Sequence, residues 1–229
     1  MDADALVGLL QLADGLFPAG AYAHSFGLET AVQEGDVRGA PDVLGFLRVL
    51  LEHGAGTSDA VAAAAAVRAA GEPTLAAALA IDETLDAMKP AAELREASRQ
   101  MGRQTLRVAA QLHPAASVAR LFAAVERAET PGHHALAFGL AAAAAGAGPR
   151  EAAAGLLYST AAAVVGAALR LLPLGQLEGQ RVLGAVRPEI ARLATRAAAS
   201  RLEELGAFTP ALEIAAMRHA RLDARLFRS

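Results

Sequence analysis

The sequence predicts an all-α protein, and three observations carry that expectation. Hydrophobic residues make up 54% of the 229 residues but aromatics only 4%, so the core has to be built from Ala, Leu and Val. Alanine and leucine are strong helix formers, whereas the strand-favouring Tyr, Ile, Thr and Trp are scarce. Apolar residues recur at spacings of three and four, with short Gly/Pro punctuation separating one run from the next. No linker, acidic tail or low-complexity spacer divides the chain, and no repeat of fixed period stands out. Residues 1–229 are therefore expected to form a single globular domain of about ten to twelve helices around an Ala/Leu-rich central helix.

In chain order the expected helices are 4–12, 24–34, 41–54, 58–70, 73–88, 90–112, 116–128, 133–146, 149–171, 175–186, 188–204 and 210–226. Pro41, Pro73, Pro90, Pro149, Pro188 and Pro210 stand near starts, where proline suits the first helical position. Gly35, Gly71 and Gly206 stand near ends, as C-terminal caps prefer. In 90–112, Leu94, Ala97, Met101, Thr105, Val108 and Leu112 make one apolar stripe. Arg95, Arg99, Arg103 and Arg107 fall four apart on another face, which composition alone assigns to solvent. Gly102 in mid-helix costs about 1 kcal/mol relative to alanine, a cost that a close helix crossing would justify. Ala152 to Leu169 runs eighteen residues without a charge, long enough to span a membrane. It is mostly Ala, with Gly155, Ser159, Thr160 and Gly166, and lacks the large apolar residues that drive insertion. A buried central helix is expected there, and no membrane.

The densest stretch of special residues is Leu9 to Glu29. It holds Gly15, Gly20 and Gly27, Pro18, two of the seven Phe, one of the two Tyr, and His24. Gly15, Pro18 and Gly20 argue for a turn between two helices, with Ser25 as an N-cap for the second. The charge is segregated: residues 1–88 carry three Arg against thirteen acids, while residues 170–229 carry ten Arg against six. This polarity points to complementary protein surfaces and away from nucleic acid, which would want a basic stripe with stacking aromatics. The chain has no cysteine, which removes disulfides, thiolate metal sites and cysteine nucleophiles. The acidic start Met1-Asp2-Ala3-Asp4 does not read as a signal peptide, and a cytoplasmic location is expected.

Enzyme signatures do not emerge. There is no G-x-x-x-x-G-K-[ST], no G-x-G-x-x-G and no H-E-x-x-H. Ser25 in His-Ser-Phe-Gly lacks the first glycine of a nucleophile elbow. His24, His53, His113, His133, His134 and His219 show no ligand spacing, so no metal site is assigned; His219, on an apolar face, reads as a packed core histidine. The catalytic alternative is a helical enzyme with a small pocket around Tyr22, His24 and Ser25. At the C-terminus, Thr209-Pro210 reads as N-cap and first helical residue. Arg218, Arg221, Arg225 and Arg228 then surround an apolar pair, Leu226-Phe227, expected to be exposed. Arginine beside an aromatic is typical of binding hot spots.

Several blocks together resemble the urease accessory protein UreF family: Leu9–Glu29, Glu93–Gly102, His134–Gly139, Arg170–Gln176 with Gly179-Gln180, and Pro210–Ile214 through Arg225–Ser229. They span nearly the whole chain in the family's order. Local departures occur at Asp14-Gly15, where members often carry Ser-Pro, and at Gly20-Ala21-Tyr22. The resemblance implies an all-α, cytoplasmic, non-catalytic protein that forms homodimers. It would bind a UreD/UreH-like accessory protein and the GTPase UreG, and act with them on apo-urease so that nickel enters its active site. GTP would be bound by the partner and nickel handled by the complex, leaving this chain without a cofactor. The implied partner-binding residues are Tyr22, His24, Ser25, Glu29, Arg95, Arg99, Arg170, Gln176, Arg221, Arg225, Leu226 and Phe227. Residues 1–12 and 218–229 would be flexible docking ends, and Arg170 is the candidate for an arginine finger on the GTPase.

Overall fold

The long, nearly chargeless run at 149–171 sets the architecture. In a computed structural model, which describes residues 1–228, it forms α9 (Pro149–Leu171), opened by Pro149 in its first turn. Ala152, Ala153, Leu156, Leu157, Ala161, Val164, Val165, Ala167 and Ala168 are buried along it. Around it lie α1 (Ala3–Ala13), α2 (Leu28–Gln33), α3 (Ala40–Leu50), α4 (Asp59–Ala69), α8 (His134–Ala144) and α10 (Gln176–Ala199). The outer helices are α5 (Ala76–Ala87), α6 (Ala92–Leu112), α7 (Ala116–Glu126) and α11 (Pro210–His219). No strand occurs among the described residues. By length and mean hydropathy, 1.7 over its window, α9 could cross a membrane, yet 56% of that window is buried inside the bundle.

Small side chains let these helices approach closely. In α4, Ala60 to Ala66 are all buried, so the helix is apolar on every side and is enclosed by α5, α8, α9 and α10. The larger core residues, among them Leu28, Leu47, Leu106, Leu136, Phe138 and Leu193, fill the space between these Ala-lined contacts. Gly102 shows the expected close crossing. A Cβ there would overlap the carbonyl of Gly132 and come within 2.8 Å of the His134 amide nitrogen.

Several boundaries differ from the sequence expectation. Helices 175–186 and 188–204 are one helix, α10, running through Pro188. Proline removes one amide and leaves the carbonyl four residues earlier without its donor. Here both Gly184 and Pro188 are exposed, so water can satisfy that carbonyl. The second helix starts at Leu28, not His24, because Phe26 (φ 57°) and Gly27 (φ 85°) are left-handed and cannot continue a helix backwards. The helix expected over 41–54 leaves α geometry after Leu50 and closes with a five-residue π turn, Leu51–Ala55. The last helix ends at His219 rather than 226.

The segregated charges meet within the molecule. Arg192 and Arg196 of α10 bind Glu52, Arg218 binds Glu34 at 3.2 Å, and Arg48 binds Glu189 at 2.8 Å. Part of the polarity that suggested external partners is thus neutralised internally. The arginine face of α6 is likewise not simply solvated: Arg99 binds Asp86, Arg103 binds Glu126, and Arg95 donates to the Lys89 carbonyl at 2.8 Å.

Candidate functional site

The opening turn and the end of the chain form one locus. Asp14 Oδ1 accepts from the Leu16 amide, and a short 3₁₀ turn at Ala21–Ala23 leads to His24, Ser25 and the left-handed pair Phe26-Gly27. Gly27 lies against α11, where a Cβ would sit 3.1 Å from the Leu212 carbonyl oxygen. Both the positive φ and this contact demand glycine. Ser25 is not the N-cap of α2; that position is Gly27. Its hydroxyl instead accepts the Glu29 amide at 3.3 Å.

Glu29 is the anchor. It is 1% exposed, and its carboxylate accepts the amides of Leu226 (2.7 Å) and Phe227 (3.1 Å) and faces His219 Nε2 at 2.9 Å. Burial works hardest against its charge, but the two amides and His219 together outweigh that and hold its pKa below the usual carboxylate value. His219 Nδ1 lies 2.8 Å from Glu93, which also accepts from Arg225 at 3.0 Å. An imidazole between two carboxylates satisfies both only by donating from both nitrogens. His219 is therefore buried, as the sequence suggested, but as the centre of a polar bridge rather than as an apolar packing group.

The tail closes over the turn. The Arg228 amide donates to the Ala23 carbonyl, and Gln33 reaches the Ala224 carbonyl. Arg170, in the last turn of α9, donates to the Tyr22 carbonyl at 2.6 Å and lies over the Phe227 ring, 4.1 Å from its centre. Phe227 is 4% exposed, contrary to the exposed pair expected; Leu226 remains open to solvent. The bend at Leu226-Phe227 explains the difference: with both consecutive amides turned onto the Glu29 carboxylate, the Phe227 ring lies inside and the Leu226 side chain outside. His24 is held neutral, its pKa lowered to about 4 by burial and then by the positive charges of Arg228 and His219.

Tyr22, His24, Ser25, Glu29, Arg170, Arg225, Leu226 and Phe227 thus come together. Gln176 is the exposed first residue of α10, and Arg221 is exposed beyond α11. Arg95 and Arg99 lie elsewhere, bracing the turn between α5 and α6. A groove beside the tail is lined by Tyr22, His24, Gln104 and Arg228, but Ser25 is fully buried outside its lining. Among the described residues, that lining includes no serine, threonine or cysteine. Ser229 lies outside the described residues.

Sequence reasoning missed a second polar centre. Asp82, fully buried on α5, accepts from Thr130 Oγ and from the amides of Gly132 and His133. His133 bridges Ser98 (3.0 Å) and Asp86 (2.9 Å), and burial lowers its pKa. Hydroxyl, imidazole and carboxylate follow one another as in a serine relay. The adjacent His134 amide, however, goes to Ser98 Oγ itself instead of an oxyanion. Among the described residues no group of three or more His, Asp or Glu could hold a metal ion. The available signal was that buried histidines need partners; nothing in the sequence told which acids they were.

Fold and site define an all-helical protein whose distinctive feature is a C-terminal tail clipped onto its first turn. The UreF family model matches residues 37–187. Over 213 residues, covering 93% of this chain and 92% of the relative, the chain is 39% identical to the urease accessory protein UreF of Methylobacterium radiotolerans. It is 34% identical to the Corynebacterium glutamicum protein of the same name, over the full length of both. The Trichodesmium erythraeum one is 32% identical over 96% of this chain and 95% of that protein. The chain belongs to the UreF family of urease accessory proteins.

Proposed function

We propose that this protein serves urease maturation as a non-catalytic adaptor in the cytoplasm. It joins a UreD/UreH-like accessory protein to the GTPase UreG in the complex that delivers nickel to apo-urease, and it works as a homodimer. The chain itself needs no cofactor: GTP belongs to the partner and nickel is the cargo. The observation that carries this reading is the full-length similarity to urease accessory proteins named UreF. The tail locus gives it a surface: Tyr22 and Leu226 are 69% and 60% exposed beside Arg225 and Arg228. Aromatic, aliphatic and arginine side chains on an ordered support suit a protein interface.

In this state Arg170 is engaged by the Gly166 and Tyr22 carbonyls and by Phe227. Its proposed part is therefore to shape the docking surface, and any effect on GTP turnover would follow from complex formation. Co-expression with the UreD-like partner tests the reading. Deleting Arg225–Ser229 is expected to abolish co-purification, and Leu226→Ala to weaken it with the fold intact. Normal capture by both variants would overturn the docking role of the tail. UreG turnover unchanged by a formed complex would overturn the GTPase effect.

A further inference from the structure

The helices leave a cavity of about 130 Å³ where α3, α4, α6, α8, α9 and α11 converge. Phe26, Met88, Leu94 and Met101 give it apolar walls, and His134 and Ser159 also line it. The state of His134 follows from its neighbours. Thr105 Oγ donates to the Met101 carbonyl at 2.8 Å, so its lone pairs are what face His134 Nδ1 at 3.2 Å. Nδ1 must therefore carry the proton and donate to Thr105. A neutral ring then has its lone pair on Nε2, which has no hydrogen-bond partner among the described residues. Burial lowers the pKa of His134 to about 4, so the ring stays neutral at physiological pH.

The rest of the wall offers little competition. Thr160 donates to its own helix at Leu156, Ser98 is tied to His133, and Lys89 is paired with Asp59 at 2.8 Å. Glu213 is the one carboxylate of the wall without a salt bridge among the described residues; it is half-buried and accepts from the Thr209 hydroxyl at 3.4 Å, while a lone water wants two to four polar partners. An engineered apolar cavity of roughly 150 Å³ holds benzene, so one six-membered ring is the right scale. We propose that this cavity is a binding site for a compact, uncharged molecule with one O–H or N–H donor on an apolar body, the donor bonded to His134 Nε2. Size and hydrophobicity hold the body, and the histidine selects the donor. Occupancy needs no partner protein, so the site can be tested apart from any role in urease maturation.

Phenol and benzene are the probes, titrated into the full chain by calorimetry and by ¹⁵N spectra of the histidine rings. Phenol is expected to bind about tenfold more tightly than benzene, the effect of one buried hydrogen bond, and to shift the His134 Nε2 resonance. His134→Phe keeps a ring and removes the acceptor, so the preference for phenol should vanish while benzene still binds. Ala163→Phe should fill the space and exclude both. Equal affinities in the unmodified protein, binding of neither probe, or a phenol preference that survives in His134→Phe would each overturn the proposal. Should the variants not fold, an unmoved Nε2 resonance in the unmodified protein with phenol bound would overturn it alone.

Discussion

Two buried carboxylate–histidine centres hold this molecule together, and they differ in what they join. Asp82 and Asp86 with His133 tie α5 and α6 to the start of α8 across roughly fifty residues or fewer, with Asp82 fully buried and the backbone of Gly132 pressed onto Gly102. Glu29 with His219 joins α2 to the end of the chain, across 190 residues, and its other partners are two amides of the non-helical tail. The chemistry is the same, but the packing around it is not. The first centre lies where three helices meet, so opening it exposes core. The tail contacts of the second can open by peeling back a few terminal residues, at the cost of one aromatic ring and a few hydrogen bonds. Stability is therefore expected to be graded from one centre to the other.

The largest effect should come from Asp82→Ala. It strands two buried amides and a hydroxyl, and should lower global stability by about 3–5 kcal/mol in urea unfolding. A loss below about 1 kcal/mol would mean that the first centre is no more rigid than the second. Acid should act next. His24 and His134 both have native pKa values lowered from 6.5 to about 4, so between those limits the unfolded chain binds protons that the native one does not. Stability should thus fall as pH drops from 6.5 towards 4, at about 1 kcal/mol per pH unit for each histidine. The Glu29 contribution, from a lowered carboxylate pKa, is present above about pH 4.5 and is lost as pH falls through its native value. Hydrogen exchange during acidification should therefore release the Leu226 and Phe227 amides before that of His133; simultaneous release would erase the contrast.

Gly102→Ala gains about 1 kcal/mol in helix propensity but must displace the Gly132 carbonyl, so a net loss of about 1–2 kcal/mol is expected. Glu29→Gln should have the smallest global effect, about 1 kcal/mol, because it keeps one acceptor oxygen. It should nonetheless speed exchange at Leu226 and Phe227 by tenfold or more, and leave Gly132 unaffected. Global destabilisation matching that of Asp82→Ala would show that the tail belongs to the core after all.

The comparison also shows where reading the sequence succeeds. Gly102 was legible because a helix-breaking residue inside a strong helical pattern needs a reason, and close crossing is the common one. The turn at Leu9–Glu29 was legible from its glycines and proline. Pro188 misled because its cost depends on whether the orphaned carbonyl reaches water, which is a matter of which face it occupies. Phe227 misled because arginine next to an aromatic reads the same whether the ring faces a partner or, as here, the chain's own Arg170.

By itself the sequence determined the class of fold and the family. Alanine and leucine at helical spacing can bury their apolar faces only against other helices, and ordered blocks along the chain mark kinship without any coordinates. What only the tertiary structure decided is pairing. Glu29 meets His219, Asp86 meets His133, and the charge-segregated halves neutralise part of each other because the fold brings them within hydrogen-bond reach. Helical periodicity fixes which face a residue occupies, but long-range contact depends on how all the faces pack at once. A buried histidine therefore announces that it needs acids long before anything says which ones.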